Sequence, residues 1–199
     1  MGRPSTIDNE DIVAVARHLF LTEGPSVATA RIARECQISE GTLFKRFGSK
    51  DQLFERAMLF PCLEATLAVI HQKTEKESSL KSISRVTLAL LEFFRELIPR
   101  MMTLWASHTL DPRKMMKGEQ SPPRLLLREV ERFLIRENEK GQILVSDPEV
   151  SARMLVSTMH NLAFFETMGI PSIEENTERE YVLRMLHVLG LDDKGRKAE

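Results

Sequence analysis

Residues 39–50 read SEGTLFKRFGSK and gather three hydroxyls, two glycines and three cations into one short run. Ser39 and Thr42 can donate to phosphate oxygens, as can the backbone N–H groups of a helix that starts at Ser39. Lys45 and Arg46 can reach base edges or phosphates, and Lys50 can close on a flanking phosphate. Gly41 gives clearance, because a bulky residue early in a groove-entering helix blocks close approach. Only Leu43 and Phe47 are spaced to pack inward. The chemistry implied is recognition of double-stranded DNA.

Charge supports this locally and not globally. The chain has 199 residues, a formal net charge of -1, 42% hydrophobic and 29% charged residues. That balance suits a globular chain with a proper core and does not advertise a polyanionic partner. From Thr29 to Lys50, however, Arg31, Arg34, Lys45, Arg46 and Lys50 stand against only Glu35 and Glu40. Phosphate neutralisation is a short-range effect, so a local stripe is what matters.

Such a run needs helices to position it, and nearly every segment has helical period. Ile12, Val13, Ala16, Leu19 and Phe20 mark one face of a first helix, which Glu23-Gly24-Pro25 ends. Thr29 is expected to cap a second helix with Ile32, Ala33 and Cys36 inward. Gln37-Ile38 makes a tight connection, Ser39 caps the third helix, and Gly48 stops it. Ser49-x-x-Gln52 is a capping box that starts a fourth helix at once, with a kink or break expected at Pro61. Three short helices within about 45 residues, the last two joined by a minimal turn, have helix-turn-helix spacing.

Long helices follow. One is expected over Leu80–Leu97, ending near Pro99, with a shorter piece over Met101–His108. Residues 110–123 read as a loop, Arg124–Lys140 as an amphipathic helix, and Asp147-Pro148 as the start of a helix to about Met168. Thr177–Leu189 is the last. The fold class is all-α, with a DNA-binding domain at 1–50 and a second helical domain at 51–199.

The segment VATARIARECQISEGTLFKRFGSKDQLFERAM resembles the N-terminal DNA-binding domain of the TetR/AcrR family of bacterial transcription regulators, over roughly residues 7–58. The resemblance implies a homodimer that binds a palindromic operator, with an all-helical C-terminal domain that binds an inducer. The family usually represses transcription, and inducer binding releases DNA. Matched position by position, Thr29 and Lys50 become phosphate contacts, and Gly41, Thr42, Lys45 and Arg46 lie on the groove-facing helix. Lys45 is the best candidate base reader. Two departures stand out. Phe44 replaces the usual tyrosine, so a phosphate hydrogen bond is missing there. Gln37 replaces the usual glycine of the turn, which costs about 1 kcal/mol if the backbone is left-handed.

In the second domain, residues 148–168 are apolar almost all round, and such a helix needs burial on two sides. The family pairs through its last two helices, so Leu155, Leu162 and Phe165, with Val182, Leu186 and Leu189, are expected at a dimer interface. A soft, bulky cluster around Phe94, Met101 and Trp105 suggests a ligand pocket, since methionine adapts to varied shapes. His108, Met159 and Asn161 complete its expected lining. The ligand class is a hydrophobic or amphipathic small molecule.

Other classes find little support. There is no nucleophile elbow, no HExxH, and the Gly48-Ser49-Lys50 run lacks the glycine spacing of a phosphate loop. No enzyme activity, cofactor or metal is expected. Cys36 and Cys62 lie in apolar helical patterns and read as buried small hydrophobes in a reducing compartment. No apolar run approaches the roughly 18 residues that span a membrane. MGRPST has no apolar signal region, so a cytoplasmic protein is expected. An architectural DNA-binding protein without an inducer is the alternative, and an activator on the same scaffold is not separable from a repressor.

Overall fold

The structure is a computed structural model that describes residues 7–59, 61, 63–72, 77–107, 121–170 and 178–191. Among these residues it is all-helical, and no helix is long and apolar enough to cross a membrane. The chain divides into two compact units, 1–60 with 99–112, and 61–98 with 113–199.

The first unit opens with α1 (Asn9–Glu23), where the Asp8 carboxylate accepts from Asp11 N at 2.8 Å and so satisfies an orphan N–H. Gly24, at φ 90, ends it. Then come α2 (Thr29–Glu35), α3 (Glu40–Phe47) and α4 (Lys50–Ala57). Each buries the apolar stripe its spacing dictates: Ile12, Ala16 and Phe20 from α1, Ile32 from α2, Leu43 from α3, Leu53 and Ala57 from α4. Phe20 and Phe54 meet edge to face with centroids 5.0 Å apart. Arg17 Nε donates to Ala57 O at 2.9 Å, tying α1 to the end of α4. Packing therefore places α4 with the three helices before it, although the sequence sets a boundary after Lys50.

The start of α2 differs from expectation. Its cap position is Ala28, which has no side chain to offer, and Thr29 is the first helical residue. The Thr29 hydroxyl is instead engaged by Glu40 of α3.

α6 (Ser79–Ser107) corrects a second expectation, for it runs unbroken through Pro99. An internal proline removes one N–H and crowds the carbonyl four residues back, at about 3 kcal/mol. The turns beyond it are anchored separately. Arg100 Nη1 donates to Leu59 O at 2.9 Å, and Leu104 is fully buried in the core of the first unit. Tertiary packing overrides the local penalty.

The second unit holds α5 (Leu63–His71), α6 up to Ile98, α7 (Pro122–Glu139), α8 (Pro148–Thr167) and α9 (Glu178–Val188). The break expected at Pro61 lies between α4 and α5. α7 packs along α8 and against α5. α7 is followed by Gly141 at φ 74, and α8 begins where Asp147 accepts from Val150 N at 3.0 Å. Arg95 of α6 ties in both later helices, reaching Glu166 of α8 at 2.8 Å and Glu178 of α9 at 2.6 Å. These carboxylates push its pKa well above the usual arginine value. Residues 108–120, which hold most of the expected loop, lie outside the described residues, as does Cys62.

Candidate nucleic-acid interface

The turn that aims α3 is a Schellman motif. Ile38 N donates to Ala33 O at 3.0 Å and Gln37 N to Arg34 O at 3.1 Å, which satisfies two end carbonyls of α2. The residue between the helices, Gln37, has φ 55, the left-handed region that favours glycine. Cys36, just before it, is buried, and burial together with the nearby Glu35 charge pushes its thiol pKa up.

Ser39 caps α3 by accepting from Thr42 N at 3.1 Å, and its hydroxyl also lies 2.8 Å from Thr42 Oγ1. Leu43 and Phe47 point inward and are buried, as their spacing requires. Gly41 is exposed, and among the described residues a Cβ there would meet only Ser39 Oγ at 3.9 Å, an ordinary contact. Phe44 is 42% exposed.

The two adjacent cations diverge. Lys45 is exposed. Arg46 is half-buried and folds back across the start of α1, donating from Nη1 to Ile7 O at 2.6 Å and Asn9 Oδ1 at 3.4 Å. The expectation that both reach DNA therefore holds less well for Arg46, because its guanidinium is committed to its own fold. Arg31 is committed too, to Glu35 on its own helix and to Glu23 at 3.6 Å. The hydrogen bond from Arg31, with its charge, holds Glu35 below the usual carboxylate range. Among the described residues, Arg34, Lys45 and the half-buried Lys50 make no ion pair.

Of the six residues expected to line a ligand pocket, three lie in the second unit, two in the first and one outside the described residues. Phe94 is buried, edge to face with Phe93 at 5.4 Å and with His160 at 5.3 Å. Met159 is fully buried and Asn161 is exposed. Met101 is buried in the first unit, where Trp105 is 55% exposed, and His108 lies outside the described residues. An open cavity of about 360 Å³ lies elsewhere in the second unit, along α5 and α6, with Ala65, Thr66, Val69 and Phe93 among its walls and Glu92 and Glu96 beside them. Sequence spacing gave no sign of it, because those residues look like ordinary faces of two amphipathic helices.

The dimer residues divide in the same way. Leu155, Leu162, Val182 and Leu186 are at most 5% exposed within the single chain and pack into its own core. Leu189 is half-buried. Phe165 is exposed, and on its side of α8 lie Val150, Met154 and Met168, also exposed, with Leu183 and Val188 exposed on α9. At about 100° per residue, Val150, Met154, Phe165 and Met168 form one stripe, a pattern the sequence contained but could not distinguish from the inward one.

Residues 12–57, from the first core residue of α1 to the last helical residue of α4, match the family described as bacterial regulatory proteins, tetR family. Over more of the chain, a nucleoid occlusion factor, SlmA, of Vibrio atlanticus is 28% identical over 162 residues, 77% of this chain and 80% of the relative. The factor of the same name from Vibrio campbellii is 31% identical over 111 residues, 55% of this chain and 56% of its own length. Among solved structures, the TetR family transcriptional regulator PfmR of Thermus thermophilus superposes with a TM-score of 0.61 at 22% identity, covering 95% of this chain and 100% of that one. NalD, the secondary repressor of the MexAB-OprM multidrug efflux pump in Pseudomonas aeruginosa, does so with a TM-score of 0.58 at 15% identity, covering 93% and 95%. At these identities the structural likeness speaks for the fold.

Proposed function

The chain belongs to the tetR family of bacterial regulatory proteins and is a DNA-binding transcription regulator, and on that premise we propose that it is a homodimeric repressor released from a palindromic operator by a small molecule. The observation that carries the reading is the outer side of α3. Its N-terminal turn presents Gly41 and Thr42, and among the described residues Lys45 is exposed without an internal ion pair and no internal contact accounts for the glycine. Those are the features of a helix whose other half of contacts comes from a groove.

Dimerisation is supported by the exposed stripe of Val150, Met154, Phe165 and Met168, with Leu183 and Val188 of α9. Apolar side chains so arranged favour an isologous two-fold contact, which matches two half-sites about one helical turn apart or a multiple of it. The inducer is proposed as an amphipathic small molecule seated in the α5–α6 cavity, whose 360 Å³ lies at the small end of the roughly 300–1,000 Å³ of ligand pockets. It must bind one arrangement of the DNA-reading heads better than the other, since equal affinity shifts nothing. Such a regulator works in the cytoplasm, on the chromosome.

A second reading, a DNA-bound factor that no small molecule releases, is favoured by the likeness to nucleoid occlusion factors over most of the chain. Genomic fragments selected by the purified protein at physiological salt, then sequenced, test the first step. An inverted repeat upstream of particular genes supports the operator reading; fragments without a shared motif overturn it. Titrating amphiphiles into the protein–operator complex then separates the two readings, because release by any of them excludes the second.

A further inference from the structure

Glu40 is the single acidic residue in the run from Ser39 to Lys50. It is the first residue of α3, exposed, and its Oε1 accepts the Thr29 hydroxyl proton across from the first residue of α2. The start of α2 has no side-chain cap of its own, since the cap position is Ala28. The Glu40 carboxylate thus ties the first residue of α3 to the first residue of α2 through the Thr29 hydroxyl. Thr29 was expected to donate to a DNA phosphate, and in the free protein that donor is already used by the chain's own negative charge.

We infer that Glu40 is a specificity-determining residue, one that penalises binding to non-cognate DNA by occupying the Thr29 phosphate seat with its own carboxylate. The inference rests on α3 being the groove-facing helix. A phosphate can take the Thr29 hydroxyl only if Glu40 gives it up. The released carboxylate can accept and cannot donate. The major-groove donors that suit it are the amino groups of cytosine N4 and adenine N6. A site that offers such a group at the start of α3 repays the displacement. A site that offers a carbonyl, a methyl group or only phosphate leaves the carboxylate unpaired beside like charge.

The test measures binding of the full chain, as wild type, Glu40→Gln and Glu40→Ala, to a selected inverted-repeat duplex and to a random duplex of equal length over a range of salt. Random-duplex binding is expected to tighten about fivefold in both variants, the size of one exposed charge interaction, with a salt slope steeper by up to about one. Inverted-repeat binding should tighten less or weaken, so the ratio between the two duplexes narrows. Equal tightening on both would reduce Glu40 to bulk charge and overturn the inference, as would no change on either. Thermal melts confirm that both variants are folded. Failure of the underlying reading shows differently, in the wild type itself, as equal binding to both duplexes before any substitution is made, and it removes this inference as well.

Discussion

Gly48 and Gln52 compete for one piece of space: a Cβ on Gly48 would lie 2.0 Å from Gln52 Oε1. The amide stands there because it accepts from Ser49 N at 3.1 Å, while Ser49 Oγ accepts from Gln52 N at 3.1 Å. Gly48 itself has φ 79. The stop of α3 and the start of α4 are therefore one device, and it fixes how α3 leaves the unit's core.

Gly48→Ala should lose on both counts. The left-handed backbone costs about 1 kcal/mol with a side chain, and the displaced cap about another 1 kcal/mol. Urea unfolding of the full chain should show a loss near their sum, about 2 kcal/mol. Gln52→Ala should lose only the cap, and the double variant should fall short of additivity because the two residues share a contact.

Gln37→Gly should have the opposite sign. At φ 55, glycine is favoured over glutamine by about 1 kcal/mol, less the entropy glycine gives back to the unfolded chain. The melting temperature should rise. A clear drop would mean that the Gln37 side chain contributes something the backbone geometry does not show.

The cations of α3 and of the start of α4 should separate by role. Lys45→Ala should weaken operator binding by about 1–3 kcal/mol and relax the preference at one base position. Lys50→Ala should weaken all sequences alike and lower the salt slope by about one. Arg46→Ala should instead lower stability, because it removes the bond to Ile7 O, and Arg46→Lys should restore little of it, since the ammonium lacks the guanidinium fork. Anisotropy titrations and thermal melts on the same three variants distinguish these outcomes; a folded, stable Arg46→Ala protein with altered base preference would return Arg46 to the groove.

Glu129 carries a pH signature. Burial opposes its charge, but the hydrogen bond from His71 at 2.9 Å and the charges of Arg132 and His71 outweigh that, and its pKa lies below the ordinary 4.5. A depressed carboxylate stabilises the fold above its unfolded value and loses that contribution as pH falls through the folded value. The stability difference between wild type and Glu129→Gln should therefore be present just above pH 4.5 and shrink as pH falls below it. Parallel denaturation curves at the two ends of that range read it directly, and a difference that grows on acidification would contradict the sign.

How much of this was legible follows from how local each feature is. The first four helices, their stops and the Gln37 turn depend on spacing and on neighbours within four residues, so the sequence displays them. Thr29 looked like a cap because its type is right; only the presence of Glu40 eleven residues on shows why the hydroxyl is elsewhere. Arg46 bonds to Ile7 O, and Arg100 to Leu59 O, both far along the chain, and no periodicity encodes such pairs. The continuity of α6 through Pro99 depends on those distant anchors. The two α8 stripes are not separable in the sequence for another reason: both sides are apolar, and hydrophobicity alone does not say which one meets the chain's own core.

The burial of Leu104 in the core of residues 12–58 bears on how this protein can be cut and recombined. A fragment ending at residue 60 would carry every group proposed to face DNA and yet lack a piece of its own interior, a hole worth about 2–5 kcal/mol on the scale of a leucine-to-alanine change. The reading head is not a portable cassette. Anyone grafting it onto another body must bring the strip after Pro99 along, or supply a leucine from the new host at the same place.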